Sequence, residues 1–502
     1  MGKAESFQDL SIQPIREGQE LWRWLYMELR AAILDGRLKP GSRIPSSRAL
    51  AQQYSLSRGT VTAAFDQLRS EGYIGAQTGA GSFIANPLPD ESVAMTPAVS
   101  PPVTPQSTAT LSNRGRFTTE GIRLLPASHS LGKAFRSYEP AIDLFPVDLW
   151  SRVAGRVLRR APRSSYGQGD ALGYLPLRRA IAEYVGAARG VRCHAGQIIV
   201  TSGAQQALDL IFRLLLDPDD EVWIEDPGYP GAHYALRAAG ARAVPVPVDA
   251  EGLDVASASA LAPNAKLAYV TPSNQFPIGI TMSQARREAL LTWAAREGSW
   301  IIEDEYDAEY RYSGSPVASL RSLDSAGAVI YVGTFTKMLF NSLRLGFVVL
   351  PERVVDAFAA ARSVCDRHPP TLDQAILAEF ILEGYFGHHV RRMRQIYSER
   401  MSVLAELGER HLKGALRIVP AVSGMRTVAW IESGESDLAI TQLARSHGLE
   451  LAALSEFTVT HKHPPGLIMG FAGCTPAELR RGVELLATVM HTSVTVPTRS
   501  QT

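Results

Sequence analysis

The chain has 502 residues, too many for one ordinary core and suited to two or three domains. Hydrophobic residues make up 45 % and charged residues 20 %, a globular profile; no apolar run is long enough to cross a bilayer, and residues 1–10 lack a secretory pattern. The net charge of +1 gives no overall signal for a polyanion. The three scattered cysteines, Cys193, Cys365 and Cys474, exclude a disulfide framework or a cysteine metal site, so a reducing cytoplasm is expected, with no metal and no membrane.

The first helical period is Leu21–Leu34, where Leu21, Leu25, Leu29 and Ile33 share a face and Gly36 stops the run. Ser46 can cap a second helix over 47–54. Ser57 can cap a third running to Glu71, with Val61, Ala64, Phe65 and Leu68 facing in. Ser55 and Leu56 form the tight turn between them, so the spacing predicts a helix-turn-helix. Two short strands around Gly79-Ala-Gly81 then make a wing.

From Arg37 to Arg69 six cations (Arg37, Lys39, Arg43, Arg48, Arg58 and Arg69) stand against one anion, Asp66. Such clustering suits a phosphate-facing surface, although charge alone equally fits a solvated basic face. The third helix start offers N–H groups and a positive dipole end to phosphate, with Ser57, Arg58, Thr60 and Thr62 on its exposed side. Arg43, Ser46 and Arg48 flank the second helix as phosphate contacts, and Gly81 lets the wing backbone approach a minor groove. Double-stranded DNA is the expected partner of residues 1–85.

Residues 86–136 hold Pro87, Pro89, Pro97, Pro101, Pro102 and Pro105 among Ser, Thr and Ala, and read as a linker. Beyond it, from 137 to 490, apolar runs at 198–201, 221–225, 267–271, 300–303, 329–333 and 346–350 alternate with amphipathic stretches. That rhythm predicts an α/β domain around a mostly parallel sheet.

The strongest site signal is Gly333-Thr-Phe-Thr-Lys337 with Arg344 beyond it. A lysine at the end of a buried strand loses ammonium solvation, which lowers its pKa and prepares it for Schiff-base chemistry. Thr334, Thr336 and Arg344 offer donors to a phosphate. Asp304 ends another apolar run and can pair with a protonated pyridine nitrogen, while Tyr306 can donate to a ring phenolate. Gly203, Ala204 and Gln205 open a helix whose N–H groups can cradle phosphate, and Tyr229 offers a ring for stacking.

Two resemblances follow. Leu38-Lys-Pro-Gly-Ser-Arg-Ile-Pro-Ser-Ser-Arg48, Leu56-Ser-Arg-Gly-Thr-Val61 and Leu68-Arg-Ser-Glu-Gly-Tyr73 resemble the GntR family of winged-helix regulators. Gln77 stands near a wing position that is usually basic in the relevant branch. Asp143-Leu-Phe-Pro146, Gly173-Tyr-Leu-Pro-Leu-Arg178, Thr201-Ser-Gly-Ala-Gln205, Glu225-Asp-Pro-Gly-Tyr229, Glu303-Asp-Glu-Tyr306 and Lys337 with Arg344 resemble fold-type I enzymes that use pyridoxal 5′-phosphate (PLP). The whole order is similar to the MocR subfamily of GntR regulators. It implies an N-terminal winged helix-turn-helix plus a fold-type I aminotransferase-like domain: a mixed, mostly parallel sheet flanked by helices, with a smaller C-terminal α+β subdomain at about 370–490.

By that resemblance Lys337 is the Schiff-base lysine of PLP, Asp304 faces the pyridine nitrogen, Tyr306 the phenolate, and Tyr229 stacks. Gly203, Ala204, Gln205, Thr334, Thr336 and Arg344 hold phosphate. Tyr166 reaches the phosphate of a neighbouring subunit, which implies a homodimer. There are departures. Phe276 stands where aminotransferases carry a ring-contacting Asn, leaving Asn274 or Gln275 as replacements. Ile468 stands in place of the substrate-carboxylate Arg, and Gly231 in place of an Arg in a relative that senses γ-aminobutyrate; Arg426 or another cation stays open as substitute. The expected function is a PLP-dependent transcription regulator sensing an amine, an amino acid or PLP alone. The alternative is an aminotransferase with an appended DNA-binding domain.

Overall fold

The computed structural model describes residues 20–77, 81–89, 110–119, 133–314 and 317–494. The chain divides into two compact units, Met1–Thr110 and Leu111–Thr502. The leader reading over residues 1–10 and most of the linker lie outside the described residues.

In the first unit, α1 (Leu21–Leu34), α2 (Ser47–Gln53) and α3 (Arg58–Ser70) precede β1 (Ile74–Gln77) and β2 (Gly81–Ile84). Ser46 and Ser57 cap α2 and α3, accepting the N–H groups of Ala49 at 3.2 Å and Thr60 at 3.0 Å. Such caps satisfy donors that the first helical turn leaves open. Val61, Ala64, Phe65 and Leu68 are buried as expected. Leu21, expected inward, is 43 % exposed, and Trp24 and Ala32 fill α1's inner face instead. β1 and β2 pair antiparallel, Ile74 opposite Ile84, while the wing turn at 78–80 lies outside the described residues.

Both ends of the stretch read as linker are taken up by packing. Leu88 is buried in the first unit's core, and Phe135 is fully buried in the second unit. Between them α4 (Asn113–Thr119) forms inside the proline-rich segment, where no helix was expected. It docks on the second unit, where Arg114 donates to the Ala238 carbonyl at 3.2 and 2.7 Å. Arg237 returns a bond to the Phe117 carbonyl and lies 4.6 Å over the Phe117 ring.

After α4 the second unit continues with α5 (Val147–Arg160) and α6 (Leu175–Arg189) and is built on an eight-stranded sheet. Its strands are β3 (Ile198–Thr201), β4 (Glu221–Asp226), β5 (Arg242–Asp249), β6 (Gly252–Leu253), β7 (Leu267–Val270), β8 (Trp300–Glu305), β9 (Val329–Thr334) and β10 (Gly346–Val349). Their order is β3-β10-β9-β8-β7-β4-β5-β6. The middle of the sheet is parallel, while β10 runs antiparallel to β3 and β9, and β6 to β5. Ile301, Ile302, Val329 and Ile330 are fully buried, each worth ~1.5–3 kcal/mol of hydrophobic stabilisation. Helices α7 (Ala204–Leu215) and α8 (Pro230–Ala239) follow β3 and β4. A four-stranded antiparallel sheet, β11 (Leu416–Ile418), β12 (Arg426–Ile431), β13 (Ala452–Ala453) and β14 (Gly466–Gly470), lies toward the C-terminal end in the order β11-β12-β14-β13, followed by a helix over Pro476–Val494. Among the described residues no helix is long and apolar enough to cross a membrane.

Candidate functional site

The carboxyl ends of the parallel strands converge, which is where open α/β sheets bind ligands. Asp304, at the end of β8, is 4 % exposed. On the adjacent strand β7, Tyr269 donates its hydroxyl to Oδ2 of Asp304 at 2.8 Å, while Oδ1 is buried with no partner among the described residues. Burial pushes this carboxyl up to about 7, the Tyr269 bond opposes the rise, and Glu305 and Asp307 add to it. Lys337 follows the end of β9. Its Nζ donates to the Tyr138 carbonyl at 2.6 Å and to Asn341 Oδ1 at 3.4 Å, 5.6 Å from the Tyr138 ring centre. Burial, then the Arg426 charge, lowers this ammonium to about 8, so a neutral, nucleophilic amine is accessible near neutral pH.

A second end of the site is built for an anion. Gly203 (φ +88°) turns the chain from β3 into α7, whose first N–H groups lack intrahelical acceptors. A Cβ on Gly203 would lie 3.2 Å from the Arg344 guanidinium, so glycine lets that cation close on the helix start. Arg344 also donates to the Ser202 carbonyl at 3.0 Å. The Thr336 hydroxyl is buried with no partner among the described residues, whereas Thr334 Oγ1 accepts the Thr336 N–H at 3.2 Å and braces the turn. Gln205 spends its side chain locally: Nε2 donates to the Gly231 carbonyl at 2.8 Å and Oε1 accepts from Tyr229 at 3.1 Å. The backbone N–H groups of Ala204 and Gln205 stand at the helix start, where a ligand anion can meet them.

Between these ends lies an aromatic wall. Phe276, 5 % exposed, packs against Tyr229, Tyr306, Phe457 and Tyr138, with ring centres 5.5, 6.2, 5.4 and 6.3 Å away. The Tyr306 hydroxyl donates to the Asn274 carbonyl at 2.6 Å and accepts from Arg426 Nη2 at 2.6 Å. The side chain of Asn274 turns elsewhere: Nδ2 donates to Asp307 at 2.8 Å and Oδ1 accepts from Ser423 at 3.3 Å. Gln275 donates to the Pro227 and Phe276 carbonyls. Both replacements considered for the ring-contacting Asn therefore have their amides engaged within the fold.

The structure also accounts for Gly231. A Cβ there would lie 2.3 Å from Gln205 Oε1 and 2.4 Å from the Tyr229 ring, so an arginine has no room. Ile468 is buried against Val428 and Leu454 and brings no charge. Tyr166 is 63 % exposed and bonds to none of the residues above.

Sequence reasoning missed Tyr138, Tyr269, Asp307 and Phe457. Phe457 is held by Asp226, whose carboxylate accepts the N–H groups of Val459, Thr460 and His461 at 2.8 Å each. Gly228 adds a bond to the Phe457 carbonyl at 3.0 Å. These partners lie scores or hundreds of residues apart and leave no local period.

The residues fit PLP. The lone Asp304 oxygen suits a protonated ring nitrogen, the α7 start with Arg344 and Thr336 suits a phosphate, and Lys337 supplies the amine.

On the first unit Arg43, Ser46, Arg48, Ser57, Arg58, Thr62 and Gly81 are exposed and Thr60 half-buried. Arg37 and Arg69 pair with Asp35 and Asp66 at 2.8 and 2.6 Å; among the described residues Lys39, Arg43, Arg48 and Arg58 have no ion-pair partner, and of these Arg48 and Arg58 lie on α2 and α3. Arg43 lies over the wing, its guanidinium 3.1 Å from a Cβ built on Gly81. Thr60 bonds to Ser57 at 2.8 Å and Thr62 to the Arg58 carbonyl at 2.9 Å, so both hydroxyls serve the helix itself.

Comparison with known proteins agrees with this division. A family model for aminotransferase class I and II matches residues 149–486, and one for bacterial regulatory proteins of the gntR family matches residues 23–84. The chain is 39 % identical to the probable rhizopine catabolism regulatory protein MocR of Rhizobium meliloti, over 92 % of each chain. It is 29 % identical to the HTH-type pyridoxine biosynthesis transcriptional regulator PdxR of Corynebacterium glutamicum, over 90 % of this chain and 92 % of that one. Pyrococcus horikoshii kynurenine aminotransferase, solved in complex with PMP, superposes with a TM-score of 0.67 and 25 % identity, covering 72 % of this chain and 91 % of that one.

Proposed function

From a chain that belongs to the MocR subfamily of GntR transcription regulators, with PLP as the cofactor of its aminotransferase-type domain, we propose that the second unit is a sensor that sets DNA binding by the first. The observation that carries this is the buried, unpartnered Oδ1 of Asp304, a group that burial penalises unless a ring cation faces it. When bound, PLP supplies an electrophilic carbonyl that captures primary amines. Lys337 would hold that carbonyl, and its amine would take up or release the proton that binding of another amine requires. Asp304 keeps the ring nitrogen protonated, Tyr229 covers the ring, and Arg344 with the α7 start anchors the phosphate.

Arg48, Arg58 and the Ser57-capped start of α3 meet the DNA backbone and groove, with Arg43 and Gly81 at the wing. Exposed Tyr166 serves a partner subunit, and the resulting homodimer reads two half-sites in the cytoplasm. The ligand is PLP alone or an amine captured by it, and it acts only if the two forms of the protein differ in affinity for it. The test is DNA affinity of one purified sample without PLP, with PLP, and with PLP plus candidate amines. Equal affinity in all three sinks the reading.

A second reading, an aminotransferase with an appended DNA-binding domain, draws on Lys337, whose accessible neutral amine can also move a proton. Against it stands Ile468, which brings no charge to the strand where enzymes bind a substrate carboxylate. Sustained turnover with a keto acid would favour it.

A further inference from the structure

We propose that Arg426 is the anion receptor of this site, so that the effector is a primary amine that also carries a carboxylate. This rests on reading the second unit as a PLP-holding sensor and narrows its ligand class.

Arg426 opens β12 and is 6 % exposed. Its guanidinium carbon lies 4.3 Å from the Phe276 ring centre and 5.1 Å from that of Tyr306. One Nη donates to the neutral Tyr306 hydroxyl at 2.6 Å, and Nε is buried with no partner. Among the described residues no carboxylate comes within ion-pair distance of it. Asp307 acts on it through space only, with one oxygen bound by Asn274. A desolvated guanidinium facing two rings and a phenol lacks the carboxylate that such a group ordinarily needs. If packing were its only task, an uncharged side chain would fill the place without that penalty.

The surroundings leave this position to Arg426. β14 offers Ile468 in an apolar cluster with Val428 and Leu454. Gly231 has no room for a longer side chain. Arg344 is committed at the α7 start, at the other end of the site. Arg426 also lies close enough to Lys337 to depress its ammonium, second only to burial. The amine and the carboxylate of one small molecule can therefore address both groups. The planar fork of a guanidinium matches a carboxylate with two parallel hydrogen bonds.

The experiment uses the full-length protein loaded with PLP and follows its visible absorption band. The probes are two pairs: L-alanine against ethylamine, and 4-aminobutyrate against propylamine. Within each pair the readout is the ratio of affinities, so a general weakening of the site cancels. The wild type is expected to prefer the amino acid of at least one pair about tenfold or more. Arg426→Met is expected to bring that ratio to about one, and Arg426→Lys to keep part of it. A ratio unchanged in Arg426→Met, or no preference in the wild type for either pair, overturns the proposal and leaves PLP sensing intact. Loss of the visible band in both variants overturns it as well, by making Arg426 a cofactor-positioning residue. A wild type with no visible band would instead remove the reading of the site as a PLP site, and this proposal with it.

Discussion

Tyr269 reaches from β7 to Asp304 on β8, bonding one carboxylate oxygen at 2.8 Å and leaving the other buried and unmatched. The pair is half of an arrangement whose other half is a cation. Tyr269→Phe removes the one side-chain donor to Asp304 among the described residues and is expected to weaken PLP binding about tenfold, while Asp304→Asn, which cannot carry the charge, weakens it more. Absorbance titration with PLP measures both; unchanged affinity in Asp304→Asn would detach Asp304 from the cofactor.

The same carboxyl sets a pH dependence for the protein without cofactor. Its folded-state pKa of about 7 lies above the unfolded value of 3.8. Between these values the folded form binds more protons than the unfolded form. Its stability contribution is thus fully present below pH 4 and lost as pH rises through 7. Asp304→Asn is expected to be the more stable apoprotein at pH 8, by up to about 4 kcal/mol, and to converge with the wild type at pH 4. Thermal melts across that window check it.

For Lys337 the sign runs the other way. Its ammonium is lowered from 10.5 to about 8, so the reactive neutral amine grows in as pH passes 8. The rate of PLP uptake should rise with a midpoint near 8, measured by stopped-flow absorbance. Arg426→Met removes a positive neighbour and should move that midpoint upward.

The DNA face makes a separable prediction. Arg48→Ala and Arg58→Ala should each weaken binding to a non-specific duplex and lower the slope of log affinity against log salt by about 1. Ser57→Ala acts through the α3 cap, destabilising the first unit by about 1 kcal/mol. Fluorescence anisotropy across a salt series separates the two effects, since loss of a cap leaves the slope unchanged in folded protein.

Gly231→Ala tests the crowding beside Tyr229. The new methyl meets Gln205 and the Tyr229 ring inside contact distance, and Tyr229 must move. PLP affinity should fall about tenfold. Unchanged affinity would mean that Tyr229 does not cover the ring.

Strands β3, β4, β7, β8, β9 and β10 were legible because each is a buried apolar run with turn residues at its ends, a local signal. Lys337, Asp304 and Arg344 stood out in the sequence because a reactive or charged group is unusual beside a buried apolar run. The partners of Asn274 were not legible for the opposite reason: an amide beside a turn has many, and Asp307 and Ser423 reach it only through folding over long separations. Arg426 could be raised only as a spare cation, since nothing in a string of letters shows that Phe276 and Tyr306 enclose it. The α4 segment has no apolar stripe of its own; it is held by Arg114 and Arg237, two charges bonding to carbonyls, which periodicity does not register.

That docked helix also hides a cleavage site. Backbone held in a packed helix resists proteolysis, and the Arg116–Phe117 bond lies inside α4, which Arg237 holds through the Phe117 carbonyl and ring. Arg237→Ala, by releasing α4, is expected to let trypsin cut after Arg116 faster than in the wild type.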